Sequence, residues 1–211
     1  MNKPALIETL RVHTDGSLPL LPWHLQRLKR SCEFLGYPLN VPAWLDVLHK
    51  HLALHPQQER RVRMLHHASG ESTVQSSPLS QLTLPLVLLL APEPLPADSY
   101  LSHKTTHRPW FAQAQHYLEA HPHYFDIIYC DAQGWVLEGS RSTIYIQDTQ
   151  GRWLTPPVRT DAILPGVQRA ALLEQGQVVE QAFNLEQLHQ ASKVRISNAL
   201  RGWQDARLAQ D

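Results

Sequence analysis

Three prolines at alternate positions, Pro92, Pro94 and Pro96, follow directly on the most apolar stretch of the chain. Their rings fix φ, so Ala91 to Asp98 reads as a stiff, extended connection and a domain boundary. The run before it, Leu86 to Leu90, is leucine except for Val87 and predicts a buried strand. The break divides the chain into a smaller N-terminal α/β lobe (1–91), a proline-rich linker (92–100) and a larger C-terminal lobe (101–211). A chain of 211 residues is long enough to bury a core in one domain or in two small ones.

In the first lobe, Leu6 to Val12 alternates as a strand, with Leu6, Glu8, Leu10 and Val12 on one face and Ile7, Thr9 and Arg11 on the other. Pro22 opens a helix that Gly36 closes, with Leu25, Leu28, Cys32 and Leu35 as its buried stripe. Arg27 lies off that stripe, as a solvated charge or as a phosphate ligand. A second helix is expected from about Pro42 to Leu54, and a strand from Arg60 to His67. Gln75 to Leu82 is polar and weakly patterned.

The second lobe reads as a helix over Trp110 to Ala120, then a strand at Phe125 to Tyr129. Asp131 to Gly134 makes a tight turn, and Trp135 to Glu138 returns as a strand. Thr143 to Gln147 and Arg152 to Thr155 form a hairpin. A helix follows Gly166, a short strand spans Gln177 to Gln181, a helix spans Leu185 to Ala191, and Lys193 to Ser197 is a strand. Arg207 to Ala209 is a final short piece. Strands with interspersed helices but no strict β-α alternation predict an α+β fold in two lobes.

Formal net charge is zero, which argues against an electrostatic grip on nucleic acid or on an anionic membrane. No apolar run is long enough to span a bilayer. Met1 to Pro4 leads straight into a strand-like run, so no signal segment is expected and the location is expected to be cytoplasmic. Cys32 and Cys130 read as reduced thiols. The histidines, thirteen in all, include none in a spacing that fixes a zinc site, so no metal is expected.

A lysine stands alone in His103-Lys-Thr-Thr-His-Arg108. On its own it reads as solvated surface. Downstream lie Glu138 after a glycine turn, Leu164-Pro-Gly166 at a helix start, and the polar turn Ser197-Asn198-Ala199. A lysine, an acid and backbone-rich turns are what pyridoxal 5'-phosphate requires: an imine partner, a partner for the pyridinium proton, and a phosphate cradle. The helix start at Gly166 offers the Val167 and Gln168 amides to an anion. The ordinary readings are a loop-to-helix junction for Leu164–Gly166 and an exposed strand-end carboxylate for Glu138.

Taken in order, His103–Arg108, Gly134-Trp-Val-Leu-Glu-Gly-Ser140, Trp153-Leu-Thr-Pro-Pro157, Ile163-Leu-Pro-Gly-Val-Gln-Arg169 and Asn198-Ala-Leu-Arg-Gly-Trp203 resemble the fold-type IV pyridoxal-phosphate enzymes, the class IV aminotransferase superfamily. Glu8-Thr-Leu-Arg11 and His24-Leu-Gln-Arg-Leu28 agree. The resemblance runs from about Leu6 to Trp203 and implies a two-lobed, D-amino acid aminotransferase-like architecture, here N-terminally shortened. Within the superfamily the motifs are most similar to those of the 4-amino-4-deoxychorismate lyases.

That resemblance implies that Lys104 holds the cofactor and shuttles a proton. Arg27, Gly166, the Val167 and Gln168 amides and Asn198 would hold the phosphate, and Glu138 would face the pyridine nitrogen. Thr9 would assist the loss of pyruvate as 4-aminobenzoate forms. The small-molecule substrate carries two carboxylates, for which Arg61, Arg63 and Arg108 are candidates. A homodimer and functional coupling to aminodeoxychorismate synthase are also implied. The chain departs from the family pattern at Thr143, where asparagine is usual, and at Gln168, where threonine is usual. Two alternatives stay open: an aminotransferase for D- or branched-chain amino acids, and a non-catalytic relative.

Overall fold

The computed structural model describes residues 3–54 and 56–210. Met1 and Asn2, on which the reading of the N-terminus begins, lie outside the described residues. The architecture is α+β, as expected. Two compact units form: Met1–Gln81 with His103–His107, and Leu82–Ser102 with Arg108–Asp211.

The first unit is a three-stranded antiparallel sheet under two helices. Its strands are β1 (Leu6–Val12), β2 (Arg60–His66) and β3 (Ser72–Pro78), in that order across the sheet. Helix α1 spans Leu21–Leu35 and ends where Gly36 takes the left-handed conformation (φ 68°), which glycine adopts at no steric cost. Asn40 caps α2 (Val41–Ala53) by accepting the Ala43 N–H. The helices cover one sheet face, where Leu10, Val12, Leu28, Cys32, Trp44, Leu48, Val62 and Met64 form the core. β3 is the element that the hydrophobic pattern does not show. Its register with β2 runs unbroken from His66–Ser72 to Arg60–Pro78. The backbone ladder, and not apolar burial, therefore defines this strand.

The second unit is built on eight strands: β4 (Leu86–Leu90), β5 (Asp126–Cys130), β6 (Val136–Gly139), β7 (Thr143–Gln147), β8 (Trp153–Thr155), β9 (Val179–Glu180), β10 (Val194–Asn198) and β11 (Gly202–Leu208). Their order is β6-β5-β4-β11-β10-β7-β8-β9. Two short 3-10 turns (Ser99–Ser102 and Pro109–Phe111) and helices α3 (Ala112–Ala120), α4 (Val167–Glu174) and α5 (Leu185–Gln190) complete it. One core gathers Leu88, Ile128, Ile144, Phe183, Leu188 and Ile196. Alternate residues of β5, Ile127 and Tyr129, pack instead with Phe111, Leu118, Leu137 and Ile163. β11 is longer than the short terminal piece expected and lies between β10 and β4.

The units divide elsewhere than at the prolines. β4 joins β5 and β11 in the second unit, so the break in the chain falls at Gln81–Leu82. The proline stretch is tied to the same unit, because Ala91 N–H bonds Ile128 O and Leu95 N–H bonds Cys130 O. The lysine segment returns to the first unit by pairing with β1. Strand pairing sets these boundaries, and a boundary read from composition cannot register it. No helix among the described residues is long and apolar enough to cross a membrane.

Leu48 is fully buried and Leu54 is 72% exposed. Leu48→Ala should lower the unfolding free energy by about 2–5 kcal/mol, whereas Leu54→Ala should stay within about 0.5 kcal/mol of wild type. Urea unfolding followed by circular dichroism checks both.

Candidate active site

In the first unit, Lys104 is placed by backbone pairing. Ile7 N–H donates to Lys104 O (2.7 Å), and Thr106 N–H donates to Ala5 O (2.8 Å). These bonds bracket an antiparallel bridge between Leu6 and Thr105. The register therefore sets Lys104 opposite Ile7, on the sheet face that also carries Thr9. Across β1, Thr9 pairs with Arg63 and Arg11 with Arg61. Lys104, Thr9, Arg63 and Arg61 thus share one face, opposite the helices. Arg61 and Arg63 line a shallow concavity with Gln75, Ser76 and Ser77. Burial, and then the neighbouring Arg61 charge, lower the Arg63 pKa below the usual guanidinium value.

The other face carries a buried ion cluster. Glu8 is 3% exposed, and Arg27 grips it through Nε (3.0 Å) and Nη2 (2.5 Å). His24 Nδ1 lies 2.5 Å from the same carboxylate. Burial alone would raise the Glu8 pKa. The Arg27 charge and the His24 and Arg27 hydrogen bonds outweigh it and bring the value down to about 2. Burial lowers the His24 pKa against the pull of Glu8, and the Arg27 and Lys104 charges lower it further. Neutral His24 therefore donates Nδ1–H to the carboxylate. His103 packs on α1 apart from these groups, stacked on Phe34 (4.2 Å between centroids) and 2.9 Å from Ser31 Oγ through Nδ1. Arg27 was expected as a solvated charge or a phosphate ligand; it is 5% exposed and held by Glu8.

In the second unit, Glu138 is 4% exposed, which overturns the reading of it as an exposed strand-end acid. Its Oε2 accepts the Leu164 N–H (3.2 Å), tying the acid to the Leu164–Gly166 segment. Gly166 opens α4 in an extended conformation, and no side chain caps the helix. The amides of Val167 and Gln168 are thus in the first turn of an uncapped helix, where the dipole favours an anion. A Cβ at Gly166 would lie 2.8 Å from Thr143 Oγ1, so only glycine lets these two segments pack so closely. Asn198 serves its own turn: Oδ1 accepts the Leu200 (3.1 Å) and Arg201 (3.0 Å) N–H groups, and Nδ2 donates to Arg141 O (3.4 Å). Arg108 lies over the Phe111 ring (4.7 Å) and donates to Ser140 O (2.9 Å).

Two sets of residues escaped the reading of the sequence. One is Glu8 with His24, whose signal is a glutamate on the apolar face of a strand, which calls for a buried partner. Asp126 was absorbed into an apolar strand. It is fully buried, and Ser140 Oγ (2.6 Å), Ser142 Oγ (2.5 Å) and the Ile127 and Arg141 amides (2.8 and 3.2 Å) all donate to it. Burial raises its pKa above the usual aspartate value, and the serine bonds and the Arg141 charge offset only part of that rise.

Comparison with known proteins gives consistent matches. Residues 5–208 match the family described as "Amino-transferase class IV". A Schizosaccharomyces pombe protein named "Putative aminodeoxychorismate lyase" is 30% identical over 194 residues, covering 89% of this chain and 83% of that protein. A crystal structure from Mesorhizobium loti, named a "Putative amino-acid aminotransferase", superposes with a TM-score of 0.88 at 27% identity, over 98% of this chain and all of that one. A Mycobacterium tuberculosis "hypothetical aminotransferase" in its PLP-bound form shares the fold, with a TM-score of 0.79 at 24% identity, over 97% of this chain and 81% of that one.

Because the Glu8 pKa falls from 4.5 to about 2 on folding, its stabilisation is present above pH 4.5 and is lost as pH falls toward 2. Glu8→Gln should cost about 3–5 kcal/mol at neutral pH, since it leaves Arg27 buried without its counter-charge. The variant should also show a shallower loss of stability between those two pH values, as measured by urea unfolding across the range.

Proposed function

This chain belongs to the class IV amino-transferase family of pyridoxal-phosphate enzymes, and from that premise we propose that it is a 4-amino-4-deoxychorismate lyase, releasing 4-aminobenzoate and pyruvate. The donor chemistry of the second unit fits the cofactor. Glu138 is a buried acid suited to a protonated ring nitrogen, and the uncapped start of α4 at Gly166 suits a phosphate dianion. Lys104 is the attachment point, Asn198 shapes the turn after β10, and Arg27 would have to reach the phosphate while still paired with Glu8. Assigning both units' residues to one cofactor rests on family membership. When bound, the cofactor supplies an electron sink for a carbanion.

The observation that carries the lyase reading is the shared face of Lys104 and Thr9. One strand register sets an amine and a hydroxyl on the same side of a sheet, with Arg63 beside Thr9. Lys104 takes the proton from C4 of the substrate, the bond from C3 to the enolpyruvyl oxygen breaks, and Thr9 or Lys104 returns a proton to the departing three-carbon fragment. Arg61, Arg63 and Arg108 hold the two carboxylates. The likeness to the Schizosaccharomyces pombe protein supports this choice. The Mesorhizobium loti structure favours a second reading, an aminotransferase for amino acids.

Purified protein loaded with pyridoxal phosphate should form pyruvate and 4-aminobenzoate in equal amounts from aminodeoxychorismate. Lys104→Ala should abolish turnover and the borohydride-fixed adduct at that position. Thr9→Val should slow pyruvate release by about 10²–10⁴-fold, the range for loss of a positioned proton donor. Conversion of the cofactor to its amino form by amino acids alone, without pyruvate from aminodeoxychorismate, would select the aminotransferase. A loaded protein active in neither assay would return the chain to the non-catalytic class. A homodimer, a cytoplasmic location and coupling to aminodeoxychorismate synthase belong to the same reading, and sedimentation velocity checks the first.

A further inference from the structure

Asp126 opens β5 with no exposed surface, and no cation pairs with it among the hydrogen bonds described for it. Its charge is met by donors instead. Oδ1 accepts the Ile127 N–H and Ser140 Oγ–H, and Oδ2 accepts the Arg141 N–H and Ser142 Oγ–H. Four donors reach the carboxylate, two on each oxygen; the two backbone N–H groups can only donate, whereas each serine hydroxyl can also accept. Burying a carboxylate is costly, so its retention calls for a consequence beyond filling space.

That consequence lies in what the four donors hold. Ser140, Arg141 and Ser142 run on directly from Glu138 through Gly139. A Cβ on Gly139 would overlap Asp126 Oδ2, so the backbone at that residue is pressed against the carboxylate. Gly139 N–H bonds Ser142 O (2.8 Å) and Ser140 N–H bonds Ile127 O (3.0 Å), which closes the turn. The Ser140 carbonyl, oriented by this clamp, accepts the Arg108 guanidinium. The β5–β6 register shifts between Ile128 and Cys130, alongside Glu138, and such irregularities re-aim a side chain.

We infer that Asp126 is a positioning residue for two groups of the site: Glu138, through Gly139, and Arg108, through Ser140. It sets the acid against the cofactor ring and the arginine against a substrate carboxylate, and touches neither ligand itself. The inference rests on the cofactor and substrate reading given above.

The test uses the pyridoxal-phosphate-loaded protein and the variants Asp126→Asn, Ser140→Ala and Ser142→Ala. Asparagine keeps the shape but turns one acceptor into a donor facing the Ser142 hydroxyl or an amide. Two readouts are followed in samples whose circular dichroism matches wild type. One is the pH midpoint of the absorbance band of the Lys104-bound cofactor, which senses the acid at the ring nitrogen. The other is the split between KM and kcat for aminodeoxychorismate. Asp126→Asn should move the midpoint by about one pH unit and raise KM by about tenfold, the effect of displacing one charged partner each. Ser140→Ala should raise KM more than it moves the midpoint, because it acts on the Arg108 side. Wild-type midpoint and KM in folded Asp126→Asn would overturn the inference. If Asp126→Asn does not fold, the two serine variants decide by the same readouts, and wild-type values in both overturn it. A wild-type protein that shows no Lys104 adduct would instead overturn the functional reading on which the inference stands.

Discussion

Two backbone hydrogen bonds, from Ile7 to Lys104 and from Thr106 to Ala5, join segments about a hundred residues apart in sequence. Each is worth only about 0.5–1.5 kcal/mol. Their importance is geometric, because side chains alternate along a strand and a slip of one residue would turn Lys104 to the helix-covered face. Thr105, the neighbour that does face inward, is fully buried opposite Leu6 and so opposes such a slip. The Thr106 hydroxyl adds a further lock by accepting the Ala5 N–H (3.0 Å). The chemistry assigned to Lys104 and Thr9 depends on this register.

Two buried carboxylates stabilise the surroundings by different means. Glu8 is neutralised by a cation: Arg27 forks onto both carboxylate oxygens, and neutral His24 donates to Oε2, which it shares with Arg27 Nη2. That pairing anchors α1 to β1, the strand that carries Thr9 one residue further on. Asp126 has donors in place of a cation and shapes a turn beyond β6. A buried ion pair and a donor-saturated carboxylate both reduce the cost of an unpaired buried charge, but only the first does so with a charged side chain.

Element types were largely readable, since alternation and caps are local. The Leu6–Val12 strand, Gly36 at the end of α1 and the Leu86–Leu90 strand all follow from neighbours within a few residues. β3 escaped because its outward residues are polar and its partner ladder is invisible in one strand alone. Within the candidate site, the spacing marked Lys104, Glu138 and Gly166, but not how deeply Glu138 and Arg27 are buried. Asn198 was read as a donor to an anion; the structure adds that its oxygen holds the Leu200 and Arg201 N–H groups and its amide nitrogen donates to Arg141 O.

By itself the amino-acid order determined the α+β class and the family, because those depend on residue identity and short-range periodicity. The tertiary structure decided which side chains share a surface. It put Lys104 on the face of Thr9, Arg61 and Arg63, closed Arg27 onto Glu8, and set Asp126 under the turn that follows Glu138. Each of those outcomes arises from pairings between residues far apart in the chain, and such pairings are selected by the joint satisfaction of backbone donors and apolar burial.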